Sequence, residues 1–174
     1  MSKSSSRLFR CSWLPAALLA AGSQVTGCGV ATGPPGEMDP AVHRALAAAQ
    51  GARLYALHPY LHETSGPAWA DAERLHDYVV LGSAEVAADD AAAVLEAIFD
   101  GIRASDGTVA ACFNPRHGVR VVDGEHVVDL VICFECLSLS VHRDGEFVQS
   151  LTTTSAPEAA LAPALEAAGL TLHR

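Results

Sequence analysis

The sequence predicts a single domain of the α+β class, with a mostly antiparallel sheet and helices packed on one face. Segments with helical periodicity begin and end the region 39–174, and a third lies near its middle. Between residues 108 and 154 the pattern changes to β-branched runs separated by turn sequences, which predicts a three-stranded meander. Strands and helices are thus grouped rather than regularly alternating, which is typical of α+β proteins.

The first two helices are predicted from their starting residues and apolar spacing. Asp39 followed by Pro40 has the form of an N-cap and a first helical residue, and the helix is expected to end at Gly51. A second helix is predicted over 90–103, with Asp89 or Asp90 as its cap. Its apolar positions recur at helical spacing: Val94, Leu95, Ile98, Phe99 and Ile102.

The closing helix is predicted to follow Ser155, which has capping-box spacing with Glu158. It is expected to reach Ala168, with Gly169 just after its C-terminus and a kink at Pro163.

Strands are predicted before and after the middle helix. The first group consists of 53–58 and 76–86, both with alternating or β-branched composition. The meander begins near residue 108, and Asn114-Pro115 is expected to interrupt its first strand. Asp123-Gly124, between two β-branched runs, predicts the tight turn into the second strand, which is expected to be one continuous run to His142.

The charge distribution argues against several classes of partner. The formal net charge is −9, but the three basic residues Lys3, Arg7 and Arg10 lie in the first ten residues. The remainder holds eight arginines, no lysine and all twenty acidic residues, so its net charge is −12. A domain this acidic is repelled by nucleic acid and by anionic lipid headgroups, and we expect no nucleic-acid partner.

The N-terminal segment has the form of an export signal. A basic stretch is followed by the short apolar run of residues 11–21, too short for a permanent membrane span. Residues 25–28, Val-Thr-Gly-Cys, then resemble the bacterial lipobox, in which the cysteine receives a diacylglycerol and becomes the new N-terminus. The resemblance implies a lipoprotein signal peptide over 1–27 and lipidation at Cys28, with the membrane as partner through that anchor.

The predicted organisation after the anchor is a tether and then the domain. Residues 28–38 are small and rich in Gly and Pro, as in a flexible linker, and the globular domain is expected over 39–174. A multiply acylated cysteine anchors stably, so the predicted location is the bacterial cell envelope. Gly29 after the cysteine favours the outer membrane, by resemblance to lipoprotein sorting in Gram-negative bacteria.

Three cysteines lie in the meander: Cys112, Cys133 and Cys136. With a two-residue loop at Asp123-Gly124, strand pairing places Cys112 opposite Glu135 and near Cys133. On a regular strand Cys133 and Cys136 would lie about 10 Å apart, too far for a disulfide. Because an exported protein meets an oxidising compartment, we expect Cys112 to pair with Cys133 or Cys136.

Other states of these cysteines stay open. With His117 they make a Cys₃His set that zinc accepts: Cys112, His117, Cys133 and Cys136. They could also be buried thiols that pack as small apolar groups. A redox role for the CxxC sequence is disfavoured because it lies in a β run rather than at a helix N-terminus.

The loop Asn114–Gly118 is the most site-like stretch. Arg116 and His117 are adjacent and could hold a carboxylate or phosphate. Alternatively, Arg116 pairs with Asp129 or Glu135 of the neighbouring strand, Glu135 being costly to bury without a partner. Cys112 and His117 could also form a nucleophile–base pair, for which the sequence offers no oxyanion hole.

The combined pattern CFNPRHGVR and DLVICFEC resembles an uncharacterised bacterial family over residues 108–142, and the resemblance implies no activity. The favoured hypothesis is an envelope-anchored binding or scaffold domain without a catalytic set or cofactor. The alternative is a metal-binding or enzymatic site. Its candidate residues are Cys112, Arg116, His117, Cys133 and Cys136. A pocket with a perturbed histidine at the Arg116 loop would favour the alternative.

Overall fold

A computed structural model describes residues 37–170 and 172–173 of the chain. The predicted signal segment, the lipobox with Cys28 and most of the predicted tether lie outside the described residues. In the described part, no helix is long and apolar enough to cross a bilayer.

The described residues form three α-helices and seven strands. The helices are α1 Pro40–Ala47, α2 Ala88–Arg103 and α3 Glu158–Ala167. The strands are β1 Gly51–Leu57, β2 Arg74–Leu75, β3 Tyr78–Ala87, β4 His117–Asp123, β5 His126–Cys133, β6 Ser138–Arg143 and β7 Glu146–Thr152.

All seven strands belong to one antiparallel sheet, in the order β2-β3-β1-β4-β5-β6-β7. The α+β class and the C-terminal meander are therefore confirmed.

The meander has four strands because the run that was expected to be one strand up to His142 is interrupted after Cys133. Residues 134–137 form a turn in which Leu137 has a φ of 55° and its N–H donates to the Phe134 carbonyl oxygen at 3.2 Å. Residues 108–113, expected to be part of a strand, form none.

The β4–β5 hairpin has a different register from the predicted one. Its two turn residues are Gly124 and Glu125, and Val119 pairs with Leu130. Gly124 has a φ of +63°, and glycine with positive φ at the first turn position is typical of a type II′ turn. Every partner is thus displaced by two residues from the prediction, and Cys112 lies outside the ladder rather than opposite Glu135.

The helices pack on one face of the sheet, as predicted. Their main core contains Leu46, Ile98 and Leu161 from the three helices, together with Val119 and Leu130 of the sheet, each at most 1% exposed. A smaller apolar cluster lies on the opposite face and contains Tyr55, Leu57, Leu75 and Val131. Gly118 lies opposite Tyr55 in the pairing of β1 and β4, and a Cβ there would collide with the Leu75 side chain, so a larger residue would displace Leu75 from this cluster.

The outer ends of α1 and α3 follow local sequence. The Asp39 carboxylate accepts from the backbone N–H groups of Ala41 and Val42 at 2.9 and 3.1 Å, as an N-cap does. After α3, Gly169 has a φ of +73°, and the Leu170 N–H donates to the Leu165 carbonyl oxygen at 3.0 Å. This is the hydrogen bond of a Schellman C-terminus.

The two other predicted caps are wrong. Because β3 runs directly into α2, Ala87 is the N-cap, and Asp89 and Asp90 lie in the first turn. There their charges still interact favourably with the helix dipole. At α3 the N-cap is Pro157, and Ser155 contributes its backbone carbonyl, which accepts from the Glu158 N–H at 3.1 Å.

Candidate functional site

The loop before β4 opens onto a cleft of about 600 Å³ that it shares with α3, the 134–137 turn and the C-terminal residues. Two of the sequence-predicted candidates, Arg116 and Glu135, line it. The other polar lining residues are Glu158, Glu166 and His173. The apolar wall consists of Ala162, Leu165, Leu170 and Leu172.

Arg116 connects two sides of this cleft. Its Nη1 donates to Oε2 of Glu135 at 2.6 Å, which confirms one of the two predicted acidic partners. Its Nε donates to the backbone carbonyl oxygen of His173 at 2.7 Å. The side chain is only 14% exposed, and its own carbonyl oxygen accepts from the Leu57 N–H at 2.9 Å. Arg116 therefore joins the turn after β5 to the C-terminal segment.

His117 does not share the cleft with Arg116. It is 1% exposed, and its ring centroid lies 5.0 Å from that of Phe134 in the core beneath the helices. Neither ring nitrogen has a hydrogen-bond partner in the described part of the chain, and the nearest carboxylate oxygen, Oε1 of Glu158, is 4.0 Å from Nε2. Burial, with a further contribution from Arg116, lowers the pKa of His117 to about 4. The ring is therefore neutral at pH 7, and the structure does not assemble the anion site predicted for Arg116 and His117 together.

The disulfide joins Cys133 to Cys136, whose Cα atoms lie 5.1 Å apart. The predicted pairing with Cys112 is wrong because the chain turns immediately after Cys133, so the 10 Å separation of a regular strand does not apply. The turn also holds the loop before β4: the Asn114 N–H donates to the Cys136 sulfur at 3.3 Å, and the Ala110 N–H donates to the Cys136 carbonyl oxygen at 3.0 Å. Cys112 is exposed.

The predicted Cys₃His zinc set is not assembled. Two of its sulfurs, those of Cys133 and Cys136, are bonded to each other and so supply no thiolate ligand. The remaining two residues are separated by environment, since His117 is buried and Cys112 is exposed. The nucleophile–base pair of Cys112 and His117 is not formed either, because neither ring nitrogen of His117 has a hydrogen-bond partner among the described residues.

Sequence reasoning missed a second cluster, which shares His173 with the cleft. His58, Glu63 and His173 each place one metal-ligating atom within 4.8 Å of the others. His58 is 7% exposed, and burial, followed by the effect of His173, lowers the pKa of its ring. No sequence spacing could identify this cluster, because His58 and His173 stand at opposite ends of the domain sequence.

A third polar cluster lies on the face of the sheet away from the helices. Asp129, 2% exposed, accepts two hydrogen bonds from Arg120. Its Oδ2 also lies 3.0 Å from Nε2 of His76, a residue with a φ of 53°. The His76 ring stacks on that of His142 with 3.6 Å between centroids. This cluster attaches the segment between β1 and β3 to the sheet.

A mostly apolar groove of about 570 Å³ lies between α1 and α2. Met38, His43, Phe99 and Ile102 form much of its wall, and none of the described candidate residues lines it. We therefore locate the candidate site at the Arg116 cleft.

Comparison of the chain with protein families, with characterised proteins and with solved structures finds no match in any of the three. The family resemblance of residues 108–142 stays a prediction.

Proposed function

We propose that the chain is a lipoprotein anchored in the bacterial cell envelope through Cys28, and that its domain binds a small ligand with a cationic group in the Arg116 cleft. The observation that carries the ligand proposal is the charge of the lining. Three carboxylates, those of Glu135, Glu158 and Glu166, line the cleft with a single arginine. The charge of that arginine is matched by Glu135, so Glu158 and Glu166 are left to attract a cation.

The shape and apolar wall of the cleft support a ligand that is more than a bare ion. A volume near 600 Å³ is within the range of small-molecule sites. Ala162, Leu170 and Leu172, which are all partly exposed, provide the apolar surface on which such ligands bury their carbon skeleton. An aliphatic amine has both a cationic group for the carboxylates and a carbon chain for the apolar wall. An anion would instead meet the two carboxylates of α3.

Binding rather than chemistry is proposed because Arg116 and His117, the two residues of the loop that the sequence offered for acting on a ligand, are engaged elsewhere. Arg116 donates to Glu135 and to the His173 carbonyl oxygen, and the nitrogens of His117 are covered by protein. The envelope location rests on the basic and apolar segments that precede Val25-Thr26-Gly27-Cys28.

The anchor is tested by expressing the full chain in a bacterium and measuring acylation by labelled palmitate and by intact mass. Cys28→Ser is expected to abolish acylation, whereas Cys11→Ser, in the apolar part of the signal, is the matched control and is expected to retain it. A mature N-terminus upstream of residue 28, or no acyl mass on Cys28, would contradict the proposal.

The ligand proposal is tested on the full chain in detergent, by titrating aliphatic amines and, in parallel, carboxylates of equal chain length. Amines are expected to bind, and the double change Glu158→Gln with Glu166→Gln is expected to weaken that binding by at least about tenfold, since each lost charge contact is worth about 1 kcal/mol. Glu125→Gln, in the exposed β4–β5 turn, is the control. Preferential binding of carboxylates would refute the ligand proposal. Amine binding by the double variant that is as strong as that of Glu125→Gln would also refute it.

A further inference from the structure

The cluster of His58, Glu63 and His173 combines two imidazoles and one carboxylate. A His₂Glu set is one of the ligand combinations that hold zinc in sites with an open coordination position. These residue types also suit zinc among the common divalent ions, because imidazole is a borderline ligand that calcium and magnesium do not favour. The chemistry of the donors therefore indicates a transition metal rather than a hard cation.

The spacing of the donors also fits an ion better than a hydrogen bond. Nε2 of His58 lies 3.5 Å from Oε2 of Glu63, longer than a normal hydrogen bond between nitrogen and oxygen. Two ligands at about 2.1 Å from a tetrahedral zinc ion lie about 3.4 Å apart. All three donors lie within 4.8 Å of one another, so only a small closure would bring the third to coordination distance.

The surroundings hold the two histidines in place. His58 directly follows β1, and its N–H donates to the Val79 carbonyl oxygen at 2.9 Å. The His58 and His173 rings have centroids 4.4 Å apart, with Trp69 5.7 Å from His58 and Tyr60 5.6 Å from His173. Within the described residues, Nδ1 of His173 is buried and has no hydrogen-bond partner. A buried ring nitrogen without a protein partner, in a cluster with a second imidazole and a carboxylate, is available to coordinate a metal ion.

One contact opposes metal binding. Nδ1 of His58 accepts from the Tyr60 N–H at 3.3 Å, whereas coordination through Nε2 would place a proton on Nδ1. That hydrogen bond is longer than the ordinary range, so its loss is small compared with the gain of a metal–imidazole bond.

We propose that His58, Glu63 and His173 form a binding site for one zinc ion, with water completing the coordination. The site lies beside the Arg116 cleft, with His173 belonging to both, but the proposal does not depend on the ligand proposed for the cleft.

The test uses the full chain purified in detergent without a histidine tag, stripped with chelator and titrated with Zn²⁺ and then with Co²⁺. We expect one ion per chain, a tetrahedral Co²⁺ spectrum and no thiolate-to-metal absorption. Replacing a second-shell group typically costs 10- to 100-fold in metal affinity, so losing a ligand in His173→Gln or Glu63→Gln should cost at least about 100-fold. His58→Gln tests the third ligand.

His62→Gln is the matched control, because His62 is 80% exposed and its Nε2 lies 3.8 Å from Oε1 of Glu63. It is expected to bind zinc as the unmodified chain does. Since His58 is buried, Glu63→Gln and His173→Gln carry the test if His58→Gln fails to fold. Binding unchanged in His173→Gln, an equal loss in His62→Gln, or no stoichiometric binding by the unmodified chain would each overturn the site.

Discussion

The carboxylate of Asp129 accepts two hydrogen bonds from the guanidinium of Arg120, one from Nε at 2.7 Å and one from Nη2 at 2.8 Å. The two residues are cross-strand partners in the β4–β5 hairpin. The acid is almost fully buried whereas the arginine side chain is 37% exposed. Through its contact with His76, the same carboxylate also holds the segment before β3 against the sheet.

Replacing Asp129 by Asn is expected to lower the free energy of unfolding by about 2 kcal/mol. The substitution leaves Arg120 without its counter-charge, and the partial exposure of Arg120 keeps the cost below that of a fully buried pair. The measurement is urea unfolding at pH 7. Asp123→Asn, at the exposed end of β4, is the control and should change stability by less than about 0.5 kcal/mol. Equal stability of both variants would show that the pair contributes nothing.

The buried ring of His117 is expected to make stability depend on pH. Its pKa is about 4 in the folded chain, against an ordinary value of 6.5, so the unfolded chain binds a proton more readily between these values. The neutral ring makes its full contribution to the free energy of unfolding above pH 6.5. That contribution decreases by about 3 kcal/mol as the pH falls to 4, and it does not change further below pH 4.

His117→Phe should remove this dependence, so that its unfolding free energy falls less than that of the unmodified chain between pH 6.5 and 4. At pH 7.5 the variant should be at least as stable, because two unsatisfied buried nitrogens are removed. His62→Gln, at an exposed position, serves as the control for the general effect of losing a histidine. If the unfolding free energies of His117→Phe and of the unmodified chain change in parallel with pH, the pH dependence does not come from His117.

Peptide mapping of the oxidised chain is expected to recover the Cys133–Cys136 bond. The bond closes a loop with a sequence separation of only three, so its loss in Cys133→Ala with Cys136→Ala should cost only about 2 kcal/mol by the loop-entropy relation. The measurement is denaturant unfolding of the oxidised chain and of the double variant. A disulfide between Cys112 and either Cys133 or Cys136 would contradict the turn that residues 134–137 form after β5.

Replacing Arg116 by Gln is expected to loosen the C-terminal segment more than the domain. The change removes the hydrogen bond to the His173 carbonyl oxygen and the contact with Glu135, so carboxypeptidase should release the last residues faster while global stability falls by about 1 kcal/mol. Arg44→Gln, on the exposed side of α1, is the control. A digestion rate equal to that of the control would argue against anchoring by Arg116.

The features that were predicted correctly depend on short stretches of chain. The cap at Asp39 and the helix end at Gly169 rest on hydrogen bonds between residues a few positions apart, and periodicity identified the helices and most strands. The sequence predicted the position of the turn at Gly124. The predicted register of the β4–β5 hairpin was nevertheless displaced, because Gly124 occupies the first turn position rather than the second. The break after Cys133 had no local signal, since Leu137 takes a positive φ that its residue type does not favour.

Some contacts of the candidate site could likewise be predicted from the sequence, and others could not. The pairing of Arg116 with Glu135 followed from neighbouring strands and opposite charges, so it was predictable. The contact of Arg116 with His173, and that of His173 with His58, required β1 to pair with β4 and the chain after α3 to return across the sheet. Local sequence thus determined the helices, most of the strands, the N-cap of α1 and the C-terminal end of α3. The turn after Cys133 decided the disulfide, which joins residues only three positions apart. Long-range packing decided the burial of His117 and the grouping of the two histidines, because those depend on residues that are distant along the chain.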